Sequence, residues 1–210
     1  MTDDTEINVE QLRAELDQIK DAMGIQERYS GATSMWLLFG FAVPLASALS
    51  QYVFTQRLEG WYHALIWAGV LGGAYAVWYA TAEEARDLDF QSDGKPNLFV
   101  QFGLVYAAIF PIQAITAAFL PELSYVDEAL FVQSLIVVLI GLAYGLLGSS
   151  LAAYYVRFRD RVVFYVGTAW MMGLGVAIPY VEFLQTWPHA SFGGLYFVYA
   201  IGTYVVLTRT

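Results

Sequence analysis

Apolar residues along most of this chain do not alternate with polar ones; they run unbroken. Residues 29–56 contain no Asp, Glu, Lys or Arg, and five more charge-free runs follow at 60–82, 96–121, 129–156, 162–181 and 183–208. About 20 mostly apolar residues, each rising 1.5 Å in a helix, cross a hydrocarbon layer of ~30 Å. Each run is therefore long enough for one crossing. The form must be helical, because lipid offers no water to satisfy free backbone N–H and C=O groups. The alternating segments of about ten residues that build a membrane β-barrel are missing. The pattern predicts an all-α, polytopic integral membrane protein with six transmembrane helices near 34–56, 61–81, 98–120, 129–153, 162–184 and 190–208. The transmembrane domain is then 34–210, preceded by a polar segment, 1–33.

The prolines add a longer period. Pro44, Pro111 and Pro179 fall in the first, third and fifth predicted helices, and a small residue stands four places before each: Gly40, Ala107 and Gly175. This spacing reads as three tandem helical hairpins. A proline inside a helix removes one backbone hydrogen bond and bends the axis, so the three are expected at kinks. Parallel repeats of this kind occur in transporters, where a substrate site forms between them. Two rows of small residues at i+4 spacing are expected as helix-packing faces, since small side chains let membrane helices approach closely. The second helix carries Ala64, Ala68, Gly72, Ala76 and Ala80; the fourth carries Gly141, Gly145, Ser149 and Ala153.

Only the N-terminal segment has the periodicity of a helix with a wet side. Val9, Leu12, Leu16, Ile19 and Met23 step by three and four residues with polar residues between them, which is heptad spacing. Asp3 to Thr5 offer an N-cap and Gly24 a stop. An amphipathic helix is predicted over about 5–23. Its apolar stripe is expected to dock a protein partner or a second copy of itself, with packing onto its own bundle as the bland reading. A membrane-surface role is less favoured, because the polar face is acidic and not rich in Lys and Arg.

Charge sets the orientation. Nine of the ten basic residues (Arg13, Lys20, Arg28, Arg86, Lys95, Arg157, Arg159, Arg161 and Arg209) fall on one side of the predicted topology, and Arg57 alone on the other. The excess of Lys and Arg marks the cytoplasmic side. A multi-pass protein of the cell membrane with both termini cytoplasmic is expected. The bilayer is its first partner. Overall there are 19 acidic residues to ten basic, a net charge of −9, and only Lys20 and Lys95 are lysines. Acidic, lysine-poor exposed segments suit molar salt, where repulsion is screened to a few Å, so the composition reads as halophilic. No basic patch is present for phosphate contacts, which excludes nucleic acid as a partner.

Candidate chemistry is sparse. With no cysteine and two histidines, thiolate sites and a histidine-rich metal centre are excluded. No phosphate loop, HExxH or GxSxG is present, so no enzyme activity and no cofactor are expected. His63, Glu182 and His189, all near the predicted outer ends of helices, form a weak candidate for a metal site. Ionisable groups at membrane depth mark function by default, and the remaining helices have none. What is patterned serves packing and docking. The expected function is a non-enzymatic, membrane-embedded subunit, assembly factor or regulator that docks a partner through its N-terminal helix. The alternative is a small permease or channel for a neutral or apolar solute through a proline-kinked bundle.

Overall fold

A computed structural model describes residues 33–81, 96–119 and 122–209, together with Leu12, Glu15, Leu16 and Ile19 of the N-terminal segment. The described residues form helices and turns, without a strand. The helices are α1 (Thr33–Thr55), α2 (Trp61–Thr81), α3 (Leu98–Ala107), α4 (Ile109–Phe119), α5 (Tyr125–Ser150), α6 (Phe158–Ala177), the short α7 (Glu182–Thr186) and α8 (Pro188–Arg209). Single 3-10 turns follow α5 (Leu151–Tyr154) and α6 (Ile178–Tyr180). Five helical stretches are long and apolar enough to cross a membrane: Ser34–Thr55, Trp61–Thr81, Tyr125–Tyr154, Phe158–Tyr180 and Pro188–Arg209. A shorter apolar stretch covers Val100–Thr116. The protein is membrane-embedded, and its described residues are helical throughout apart from turns.

Local chemistry explains where the elements begin and end. Ser124 caps α5, its hydroxyl accepting from the Asp127 backbone N–H at 3.2 Å. The carboxylates of Asp127 and Glu128 then sit in the first turn, where the free N–H groups favour negative charge. Helix α6 likewise starts at Phe158, ahead of the charge-free run, and takes Asp160 into its first turn. Between α3 and α4 the helix is interrupted at Ala108. Pro111 has no N–H to donate to the Ala107 carbonyl, so the ladder fails at that place. The N–H of Ala108 still reaches the Leu104 carbonyl, and that of Ile112 reaches the Ala108 carbonyl at 3.3 Å.

The helices of the first two expected hairpins touch, but the closest packings run between hairpins. The closest packings are α5 against α6 and α1 against α8; α2 lies on α1, and α3 on α5. The fifth and sixth predicted helices, which would form the last hairpin, touch each other much less than either touches its own neighbour. Two seams explain the pairing. On α5, a methyl added at Gly141 would lie 3.1 Å from Met171 Cβ, one at Gly145 3.1 Å from Thr168 Oγ1, and one at Gly148 3.0 Å from Phe164 Cβ. On the other seam, a methyl at Gly40 would meet Ala200 Cβ at 3.1 Å, and one at Gly193 would meet Ser47 Cβ at 2.6 Å and Pro44 Cα at 3.2 Å. Backbones approach this closely only where side chains are absent, and dispersion across the contact then holds the helices without a hydrophobic drive.

Between the seams the core is aromatic. Trp36 sits 5.6 Å from Phe164 and 5.7 Å from Tyr199, centroid to centroid, and Tyr144 packs 6.2 Å from Trp36. The Tyr144 and Tyr196 hydroxyls meet at 2.9 Å, and the Tyr199 hydroxyl donates to the Val163 carbonyl at 2.8 Å. These bonds satisfy polar atoms that would otherwise be buried unpaired.

Candidate functional site

Two ends of the bundle can be told apart by their side chains. At one end, the hydroxyl of Tyr125 donates to the Leu58 carbonyl at 3.2 Å, joining the start of α5 to the turn between α1 and α2. At the other, the Tyr154 hydroxyl donates to the Pro96 carbonyl and the Ser150 hydroxyl to Gln101 Oε1, both at 2.7 Å. Arg157, Arg159, Arg161 and Arg209 lie at this second, arginine end.

The first end holds both histidines. Gln51, near the end of α1 and 6% exposed, accepts at Oε1 from the backbone N–H groups of His189 (3.1 Å) and Ala190 (3.2 Å). Its Nε2 donates to the Thr186 carbonyl at 3.1 Å. Helix α8 opens on Pro188, preceded by Trp187, and has no Ser, Thr, Asp or Asn in the N-cap position. A glutamine 138 residues earlier supplies the cap. The His189 ring lies 4.9 Å from the His63 ring with the planes 29° apart, and 5.9 Å from Phe54. Three buried polar atoms here, Ser47 Oγ, Ser50 Oγ and His189 Nδ1, have no partner among the described residues. This cluster of buried polar groups was not visible in the sequence. The available signal was an uncapped helix start at Pro188 together with a glutamine inside an apolar run.

The expected metal candidates only partly converge. His63 and His189 meet, whereas Glu182 sits exposed in the first turn of α7, and no three His, Cys, Asp or Glu residues converge among the described residues. The stacked geometry also disfavours chelation. Each imidazole lone pair lies in its own ring plane, and two near-parallel planes do not aim two lone pairs at one ion.

The packing rows behave differently from one another. Gly141 and Gly145 lie in the α5–α6 seam, but Ser149 and Ala153 are exposed and Gly148 takes the next seam position. The reason is rotation. A strict i+4 row drifts by about 40° per step, because 3.6 residues make a turn, whereas a seam alternates steps of four and three. The row Ala64, Ala68, Gly72, Ala76 and Ala80 winds about 160° around α2 by the same arithmetic, and all five are exposed. The residues α2 buries are Ala74 and Trp78. As for the kinks, Pro44 lies within an uninterrupted α1, Pro111 just after the α3–α4 break, and Pro179 in the 3-10 turn that ends α6.

The N-terminal stripe is the remaining candidate. Leu12, Leu16 and Ile19 are helical and 51%, 50% and 53% exposed. Val9 and Met23 lie outside the described residues. No family model, no curated protein and no solved structure matches this chain. Two shallow apolar grooves at the surface, of about 460 and 500 Å³, open beside α8, one against α6 at Gly173 and one against α7 at Gly194. Such surfaces fit lipid chains and carry no convergent polar groups for a substrate.

Proposed function

We propose that the chain is a non-enzymatic, membrane-embedded subunit, assembly factor or regulator that docks a protein partner through its N-terminal helix. One observation carries the reading. Three leucine and isoleucine side chains on one helical stripe are half exposed, although water penalises each by about 1 kcal/mol relative to full burial. A stripe of this kind, outside the membrane, is an interaction surface awaiting its cover. The close aromatic packing of the core agrees with a structural role. The test is a pull-down from mild detergent with the full chain and with a chain lacking residues 1–24. A stoichiometric partner that is lost on deletion is expected; an unchanged partner set overturns the reading.

The same proposal includes six crossings, both termini in the cytoplasm of a cell membrane, and adaptation to high salt. The crossing count draws support from the two hydrogen bonds that fix the ends of α5. Pro96 is held at one end of that helix and the Leu58–Tyr125 contact lies at the other, as a crossing between 96 and 125 would place them. The hairpin repeat is not part of the proposal, given how α1 pairs with α8 and α5 with α6. A permease for a neutral solute is the second reading. Its favouring observation is the set of unpaired buried polar atoms of Ser47, Ser50 and His189 at the α1–α8 seam. Flux of small neutral solutes into vesicles containing the pure protein tests it.

A further inference from the structure

Helices α6 and α8 run side by side in opposite directions, with large aromatic side chains between them. The Tyr199 hydroxyl reaches the Val163 carbonyl at 2.8 Å, and the Trp170 ring lies 5.6 Å from that of Tyr199 and 6.1 Å from that of Phe192. The lipid-facing side of this spacing is the groove of about 460 Å³, walled by Val166, Trp170 and Gly173 of α6 and by Leu195 and Val198 of α8. Both walls continue to the arginine end. At 100° per residue, Arg159 lies within about 40° of Val166, Trp170 and Gly173 around α6, and Arg209 within about 40° of Leu195 and Val198 around α8. Exposed Val162, Gly202 and Val206 fill the steps between. Arg159 and Arg209 are themselves exposed, and neither has an ionic partner among the described residues. Arg161 points elsewhere. It lies about 160° around α6 from Arg159, with its guanidinium 5.5 Å over the Phe158 ring. Asp160 is buried in the same turn.

The two chemistries in line select one occupant. A groove without polar groups takes a hydrocarbon chain, and two guanidinium groups at its mouth take a phosphate, whose oxygens match their planar forks. The dimensions agree. Measured from the Val163–Tyr199 contact, Arg159 lies about 6 Å and Arg209 about 15 Å further along their axes. Two long side chains bridge that offset of about 9 Å while their stems stay on apolar surface. Trp170 lies about 16 Å along α6 from Arg159, close to the depth of one leaflet of a ~30 Å hydrocarbon layer. Net charge does not supply the attraction, because the chain as a whole carries −9 and repels an anionic surface. A guanidinium–phosphate contact at about 2.8 Å is also closer than the ~3 Å over which molar salt screens. We infer that Arg159 and Arg209 hold the headgroup of an anionic phospholipid whose hydrocarbon chain lies in the α6–α8 groove.

Trp170 reports the occupant. The full chain is reconstituted in vesicles of phosphatidylcholine mixed with phosphatidylglycerol, each lipid in turn brominated at mid-chain. The tryptophan quenching that disappears in Trp170→Phe then measures which lipid lies in the groove. Phosphatidylglycerol should be preferred by roughly ten- to thirtyfold, since each cationic side chain beside an anionic headgroup contributes about fivefold. Arg159→Gln and Arg209→Gln should each lower the preference about fivefold. Arg161→Gln removes the same charge from the same end and should leave it unchanged. Gly173→Leu, at a position with nothing within 4 Å, should lay its side chain over the preceding turn and shield Trp170 from both lipids. Equal quenching by the two lipids in the unaltered chain overturns the inference. So does an equal loss for Arg161→Gln and Arg159→Gln, which would mean that only the charge of the whole surface counts. Undiminished quenching of Trp170 in Gly173→Leu would remove the hydrocarbon chain from the groove and overturn the inference as well.

Discussion

Gly193 shows how much one hydrogen atom in place of a methyl is worth in this fold. It has no need of glycine's backbone freedom, since it lies within the regular helix α8. It is small because Ser47 and Pro44 of α1 occupy the space its side chain would fill. Its neighbour Gly194 has nothing within 4 Å of the same position. The two glycines therefore predict opposite signs. Gly194→Ala should be neutral or stabilise by up to about 1 kcal/mol through helix propensity alone. Gly193→Ala gains the same propensity but forces α1 and α8 apart, at about 1–3 kcal/mol for an overpacked contact, and Gly193→Val should cost more. Thermal unfolding in mild detergent reads the difference. Equal shifts for the two alanine variants would show that the α1–α8 seam is not this close.

Gln51 makes the corresponding point for an element. The first N–H groups of any helix lack intrahelical acceptors, and α8 begins at Pro188 without a local cap. Gln51→Leu keeps the bulk and removes both the acceptor for His189 and Ala190 and the donor to Thr186. A loss of about 2 kcal/mol is expected from the lost cap and the buried N–H groups left unpaired. Hydrogen exchange should accelerate at the His189 and Ala190 amides before it does elsewhere in α8; unchanged protection there would sink the capping role. This contact also marks the limit of what was legible in the sequence. The long helices were legible, because burying an unpaired charge costs so much that five of the six charge-free runs coincide with helices long enough to cross a membrane. The start of α6 was missed by a turn because Arg159, Asp160 and Arg161 are tolerated in a first turn outside the apolar layer. Helix pairing was not legible. These helices are apolar all round, so no periodicity names a buried face, and neighbours are chosen by details such as Gly148 replacing Ser149 in the seam. The polar cluster at the histidine end escaped for the same reason: its partners are joined across 138 residues, where local pattern carries no information.

At the scale of the whole molecule, the proposed sixth crossing rests on the broken segment α3–α4. Neither piece alone is long enough to cross, at ten and eleven residues, yet together they run from Pro96 to the turn before Tyr125. Helix α5 has 26 residues, about 39 Å of rise, and its two ends are tied to Pro96 and Leu58 respectively. On the proposed six-crossing topology the segment joining those ends passes from one to the other, with its helix interrupted at Ala108. The consequence is open to measurement in intact vesicles with an impermeant thiol reagent. Glu59→Cys and Glu122→Cys should label from one side, and Thr2→Cys and Asp89→Cys from the opposite side. If α3–α4 instead dips in and returns, Glu122→Cys changes sides and joins Asp89→Cys, while Glu59→Cys and Thr2→Cys stay where they were. That outcome would leave five crossings and put the two termini in different compartments. It would also contradict the Tyr125–Leu58 hydrogen bond, which requires residues 58 and 125 to share one end of the bundle.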